Sequence, residues 1–169
     1  MNVLVTGGGR GIGRASCVLA GERGWNVGVN YLRDEASADA TVKEVEQAGG
    51  KAIKLKYDIS KEDEVLKMFE EMEASLGPIN AIVINAGITA KALPIAEFDT
   101  ERLRKVLDTN IWGAYLCARE ASRRLGASTL KNRNIVIVSS VASRLGSPNE
   151  YVSTCTEELL FESLGRIIC

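Results

Sequence analysis

The octet Thr6–Gly13 reads TGGGRGIG, five glycines in eight residues. It stands between a short apolar run, Val3-Leu4-Val5, and a stretch with helical periodicity. Glycine in this place lets the chain turn tightly and bring its backbone close to a bulky anion. The helix that follows offers unpaired N–H groups and a partial positive charge at its start. The chemistry such a loop can do is pyrophosphate binding, although a tight turn alone would also use glycines. The general G-x-G-x-x-G spacing of dinucleotide loops does not fit in register, whereas T-G-x-x-x-G-x-G does. Other polar residues close later apolar runs: Asn30-Tyr31, Asp58-Ile59, Asn85-Ala86-Gly87 and Ser139-Ser140. Asn110 is the single polar member of an otherwise apolar helical stripe.

The elements that must position these residues alternate along the chain. Apolar runs at Val3–Val5, Trp25–Tyr31, Ala52–Ile59, Ala81–Ile84 and Ile135–Val138 are predicted strands. Their apolarity is continuous rather than alternating, which suits strands covered on both faces of a parallel sheet. Between them, Ile12, Ala15, Ser16 and Leu19 form one predicted helix face, with Gly24 at its C-terminal stop. Ala38, Val42 and Val45 form the next, ended by Gly49-Gly50. Ser60 with Asp63 resembles a cap, opening a helix that buries Val65, Met68, Phe69 and Met72. One long helix is predicted from about Thr100 to Leu125, its stripe made of Leu103, Val106, Leu107, Asn110, Ile111, Ala114, Ala118 and Ala121. This order predicts an α/β, doubly wound, Rossmann-type parallel sheet in one domain.

Composition narrows the function classes. The chain has 169 residues, 46% hydrophobic and 25% charged, with a net charge of −1. That balance gives no electrostatic reason to expect nucleic acid or an anionic membrane as partner. No run approaches the roughly 20 apolar residues a membrane span needs. Histidine is absent, so imidazole acid–base catalysis is excluded. The four cysteines (Cys17, Cys117, Cys155, Cys169) form no C-x-x-C pair, so no metal site is expected, and reduced thiols in a cytoplasmic protein are.

Taken in order, the T-G-x-x-x-G-x-G loop, Asp58, N-A-G at Asn85–Gly87, Asn110 and the Ser139-Ser140 pair resemble the short-chain dehydrogenase/reductase family. The resemblance covers Met1 to about Val152, and Val138–Val152 looks like a bacterial subgroup near sugar dehydrogenases and 3-oxoacyl-carrier-protein reductases. It implies strand order 3-2-1-4-5, with the family's last two strands missing. It implies a nicotinamide cofactor across the carboxyl ends of the strands, acting on a small-molecule carbonyl or secondary alcohol. Gly7, Gly9, Arg10, Gly11, Ile12 and Gly13 would meet the pyrophosphate side. Asn30, Tyr31 and Arg33 would lie toward the adenosine, Asp58 and Ile59 at the adenine, and Asn85, Ala86 and Gly87 on the ribose side. Asn110 and Ser140 match the family's site asparagine and serine, and the helix around Asn110 its dimer contact, so a homo-oligomer is expected.

Two features modify that expectation. No carboxylate follows the second strand until Asp34, while Arg10 and Arg33 could meet a 2′-phosphate; NADP(H) is favoured over NAD(H), the alternative being two solvated arginines. The family's proton-transfer pair, a tyrosine with a lysine four residues later, is not intact. Either Tyr151 is the tyrosine and Cys155 replaces the lysine, or the tyrosine position falls at Thr154. An unperturbed tyrosine, with a pKa near ~10, needs a nearby cation to work near neutral pH. Both alignments lose it, so a weak or inactive chain is expected. Residues 153–169 resemble nothing in the family and read as a tail, as a changed reading frame, an altered splice or a sequencing error would leave it. By pattern the tail reads as a short helix: Thr154 and Glu157 fit a capping box, and Leu160, Leu164, Ile167 and Ile168 share a face.

Overall fold

The computed structural model describes residues 1–89 and 93–140, without the side chain of Ile95. Five strands alternate with helices: β1 (Asn2–Val5), α1 (Gly11–Glu22), β2 (Asn26–Tyr31), α2 (Glu35–Gln47), β3 (Lys51–Lys56), α3 (Glu62–Leu76), β4 (Ala81–Ile84), α4 (Thr100–Leu107), α5 (Ala114–Ala127) and β5 (Asn134–Ile137). They form one sheet in the order β3-β2-β1-β4-β5. Every pairing is parallel, with Val3 beside Val27 and Ala81, and Ile82 beside Ile135. The predicted order 3-2-1-4-5 is the observed one.

Side chains alternate across the strands, so each face has its own core. Leu4, Leu55, Ile82 and Ile84 pack with Val65, Met68, Phe69 and Met72 of α3 and with Leu116, Cys117, Ala121 and Leu125 of α5. Val3, Val5, Val27 and Val29 pack on the other face with Cys17 and Ala20 of α1 and Ala38 and Val45 of α2. The predicted α3 stripe is the buried one.

Elsewhere the structure corrects the expectations. On α1 the buried residues are Gly13, Cys17, Ala20 and Gly21, while Ile12 and Leu19 are 62% and 47% exposed. The helix lies too close to its neighbours for larger groups: a Cβ on Gly21 would come 2.8 Å from the Val45 carbonyl oxygen. Ser60 does not cap α3. Lys61 holds that position without a side-chain bond, and the Ser60 hydroxyl donates to Asp58 at 2.7 Å. β3 ends at Lys56 rather than Ile59, because the Asp58 N–H leaves the ladder for the Glu64 carboxylate at 2.6 Å. The long helix is not uniform: a π-helical turn, Asp108–Gly113, separates α4 from α5.

Cys17 and Cys117 are fully buried, and burial pushes both thiols up to about 12. An unfolded thiol ionises near ~8.5. The unfolded chain therefore loses protons first as pH rises, and the linked stability, complete below pH ~8.5, is lost between there and the folded values. The urea midpoint is expected to be lower at pH 10 than at pH 7, and Cys17→Ser with Cys117→Ala is expected to flatten that decline.

Candidate functional site

The carboxyl ends of the parallel strands bring the glycine loop, the segment after β4 and the π turn to one edge of the sheet. Gly7 and Gly11 adopt φ of +63° and +56°, a region that favours glycine. Gly13 serves packing: a Cβ there would sit 2.3 Å from the Gly7 oxygen and 2.5 Å from Asn85 Nδ2. Arg10, in extended conformation, stands at the N-cap of α1 and puts no side-chain cap on it, and its first turn has no acid. The N–H groups of Gly11, Ile12 and Gly13 precede the first i→i−4 bond, which Arg14 N–H makes to Arg10 O at 3.2 Å. α2 and α4, by contrast, are capped by Asp34 and Asp99.

Thr6, buried at the start of the loop, was part of the motif but had no predicted role. Its hydroxyl oxygen accepts from the N–H groups of Asn85 (2.9 Å) and Ala86 (3.0 Å). Asn85 answers by donating from Nδ2 to the oxygens of Thr6 (3.0 Å) and Gly7 (3.2 Å). The loop after β1 is thus locked to the loop after β4. Thr6→Val, nearly isosteric, would strip both N–H groups of their acceptor. A buried unsatisfied donor costs ~1–3 kcal/mol, so Tm is expected to fall by about 5–10 °C, read by calorimetry.

Asn110 extends the same frame. It is buried within the π turn, and its amide makes a two-way pair with one peptide: Ile88 N–H donates to Oδ1 at 2.9 Å, and Nδ2 donates to Ile88 O at 3.0 Å. Gly87 lies against that amide, where a Cβ would come 3.5 Å from Oδ1. The loop after β4 is held from both sides, by Thr6 and by Asn110.

At the β2 end, Asn30 is buried and its amide is committed to backbone. Oδ1 accepts from Gly7 N–H at 3.2 Å, and Nδ2 donates to the oxygens of Leu55 (3.1 Å) and Tyr57 (3.0 Å). Tyr31 is buried in the α1–α2 core. Arg10 and Arg33 are exposed. Asp58 accepts from Ser60 N–H (3.0 Å) and its hydroxyl, and Ile59 is buried, so close to the π turn that a Cβ on Gly113 would come 2.9 Å from it. Ser140 is exposed just past β5. Tyr151, Thr154, Cys155 and the 153–169 tail lie outside the described residues. Among the described residues no cluster of metal-ligating side chains occurs, and no helix is long and apolar enough to cross a membrane.

Residues 1–156 match the short chain dehydrogenase family. The chain belongs to the short-chain dehydrogenase/reductase family. It is 44% identical over 165 residues to the uncharacterised oxidoreductase YgfF of Escherichia coli, covering 95% of this chain and 66% of that protein. It is 32% identical over 157 residues to the 3-oxoacyl-(acyl-carrier-protein) reductase FabG of Staphylococcus epidermidis, covering 90% of this chain and 62% of the relative. The chain thus spans about two thirds or less of the length of these relatives. Among solved structures, a short-chain alcohol dehydrogenase proposed from Sinorhizobium meliloti superposes with a TM-score of 0.88 at 26% identity, over 96% of this chain and 63% of that one. An NADH-dependent reductase responsible for alginate metabolism superposes at 0.87 and 22% identity, over 96% and 68%, a likeness of fold.

The family is one of oxidoreductases that use NAD(P). The residues present fit such a group. An uncapped, acid-free helix start behind a left-handed glycine is suited to the pyrophosphate's charge. Gly13, having no side chain, lets α1 pack directly on the Gly7 backbone and the Asn85 amide.

Proposed function

We propose that this chain is the dinucleotide-binding part of a short-chain oxidoreductase, that it takes NADP(H) in preference to NAD(H), and that it turns over carbonyls or secondary alcohols weakly or not at all. The observation that carries the binding is the uncapped start of α1 beneath a loop braced by Thr6, Asn85 and Asn30. Gly7, Gly9, Arg10, Gly11, Ile12 and Gly13 would hold the pyrophosphate, and Asn30 and Tyr31 would shape the adenosine end from beneath. Arg10 and Arg33 would meet a 2′-phosphate, Asp58 and Ile59 would border the adenine, and Asn85–Gly87 the nicotinamide ribose. Bound there, the cofactor supplies a hydride donor or acceptor; Asn110 and Ser140 would flank the reacting end.

Weak turnover rests on the residues after β5, where no tyrosine has a lysine four positions on. Neither Tyr151 nor Thr154 has a cation four residues on, since those positions hold Cys155 and Glu158. A thiol or a carboxylate does not lower a neighbouring phenol's pKa as an ammonium does.

Titration with NADPH and with NADH, followed by nicotinamide fluorescence, tests the reading. Saturable binding with NADPH preferred and no steady-state carbonyl reduction is the expected result. Binding of neither nucleotide refutes the first claim, and robust turnover refutes the last.

A second reading, a non-catalytic dimerising module, draws on one surface. Trp112 and Tyr115, 48% and 41% exposed, stack with ring centroids 6.0 Å apart on the π turn and α5. Aromatic side chains of this kind are enriched in protein interfaces. A homo-oligomer through this face predicts that Trp112→Glu halves the mass seen by sedimentation; an unmodified chain that sediments as a monomer would dismiss it. A cytoplasmic location accords with either reading.

A further inference from the structure

Asp34 is the first carboxylate after β2, and both its oxygens are engaged by one residue. Ser37 N–H donates to Oδ1 at 3.0 Å and the Ser37 hydroxyl donates to Oδ2 at 2.6 Å, closing the N-cap of α2. The next acid, Glu35, is engaged by Lys54 at 2.8 Å. Ser37 also stands against the glycine loop: a Cβ on Gly9 would come 3.5 Å from the Ser37 Cβ and 3.4 Å from the Ala38 nitrogen. One turn on, the buried Thr41 hydroxyl lies within bonding distance of Ser37 O (3.0 Å) and Gly9 O (3.3 Å), which fastens the start of α2 to that loop. The Asp34 carboxyl is held below its usual range, first by the two Ser37 bonds and also by the charge of Arg10. Asp34, Ser37, Gly9 and Arg10 are therefore neighbours where β2 hands over to α2.

We propose that Ser37 is a positioning residue for cofactor choice: by tying both oxygens of Asp34 into the α2 cap, it withholds that carboxylate from an adenosine ribose and leaves the Arg10 side of the loop to a 2′-phosphate. A carboxylate that meets the ribose hydroxyls favours NAD(H) and repels the phosphate of NADP(H). Asp34 is then a latent NAD(H) determinant, kept out of use by a serine hydroxyl. This inference rests on the dinucleotide-binding reading above.

The test is the ratio of NADPH to NADH dissociation constants in the unmodified chain, Ser37→Ala, Ser37→Thr and the double variant Asp34→Asn with Ser37→Ala. Alanine keeps the backbone bond to Oδ1 and favours the helix, so the fold is retained. General loosening of the loop affects both nucleotides and cancels in the ratio. Ser37→Ala is expected to shift the ratio toward NADH by about tenfold, the low end of what one hydrogen bond to a charged group is worth. Ser37→Thr, which restores the hydroxyl, is expected to restore the ratio, and so is the double variant, which removes the freed charge. A chain that prefers NADPH and keeps its ratio in Ser37→Ala overturns this inference alone. An unmodified chain that binds neither nucleotide overturns the dinucleotide reading and this inference with it.

Discussion

Gly13→Ala is expected to lower nucleotide affinity by about 5- to 150-fold, the effect of the ~1–3 kcal/mol that overpacking costs. The added methyl would lie 2.3 Å from the Gly7 oxygen, 3.0 Å from the Gly7 carbonyl carbon and 2.5 Å from Asn85 Nδ2. Two of these are backbone atoms of the loop, so the methyl cannot be accommodated by a rotamer change. Either α1 backs away from the sheet or the loop moves, and the Asn85 bonds to Thr6 and Gly7 are stretched in both cases. Gly11→Ala separates shape from packing. It meets nothing within 4 Å but holds a φ of +56°, so its cost is the ~1–2 kcal/mol of left-handed backbone alone. Gly9→Ala, at 3.4 Å from its nearest neighbour, is expected to bind almost normally. Isothermal titration with NADPH on the three variants should give the order Gly13, Gly11, Gly9 from worst to mildest. Gly13→Ala binding like the unmodified chain would remove the loop from the site.

How much of this was legible in the sequence depends on which physical quantity carried the information. Strand positions and sheet order were legible because continuous runs such as Ala81–Ile84 are a direct imprint of burial on both faces. The α3 stripe was legible for a related reason: Met68, Phe69 and Met72 are large, and size marks the contact. On α1 size marks nothing. Its contact is made of Gly13, Cys17, Ala20 and Gly21 because the backbones approach closely, and apolarity pointed to Ile12 and Leu19 instead. The turn Asp108–Gly113 was invisible because residue types do not record the spacing of backbone hydrogen bonds, and nothing in DTNIWG marks the change. Ala114, Ala118 and Ala121 still read as one stripe across it.

The candidate site shows the same division. Glycine spacing, N-A-G and the polar strand ends were visible as residue types, but not which way their side chains point. Asn30 illustrates this. Strand alternation sets it on the side of Gly28, away from Val29 and Tyr31, and there it reaches the Leu55 and Tyr57 oxygens as well as the glycine loop. Thr6 acts through its hydroxyl on the backbone of Asn85 and Ala86, far along the chain, a role that no local spacing announces.

Asn110→Ala is expected to cost about 2–3 kcal/mol, a Tm loss of about 4–12 °C. The magnitude follows from the pairing: one amide satisfies both the N–H and the C=O of Ile88, and alanine deletes both partners at once. Water can replace part of this, because Ile88 is 39% exposed, which keeps the loss below that of two fully buried groups. Asn110→Asp discriminates the two bonds. Its carboxylate still accepts from Ile88 N–H but faces the Ile88 oxygen without a donor, so it should be at least as damaging as alanine at neutral pH and partly recover when acid protonates it. Trp112, two residues away in the π turn, reports the local change independently of melting; with only two tryptophans in the chain, Trp25→Phe isolates its emission. If Asn110→Ala leaves Tm, Trp112 emission and nucleotide affinity all unchanged, the clamp is dispensable and the π turn is held by α5 packing alone. If emission and affinity change together, the asparagine's work is to seat the loop after β4, and any part it has at the reacting end of the cofactor is exerted through that seat.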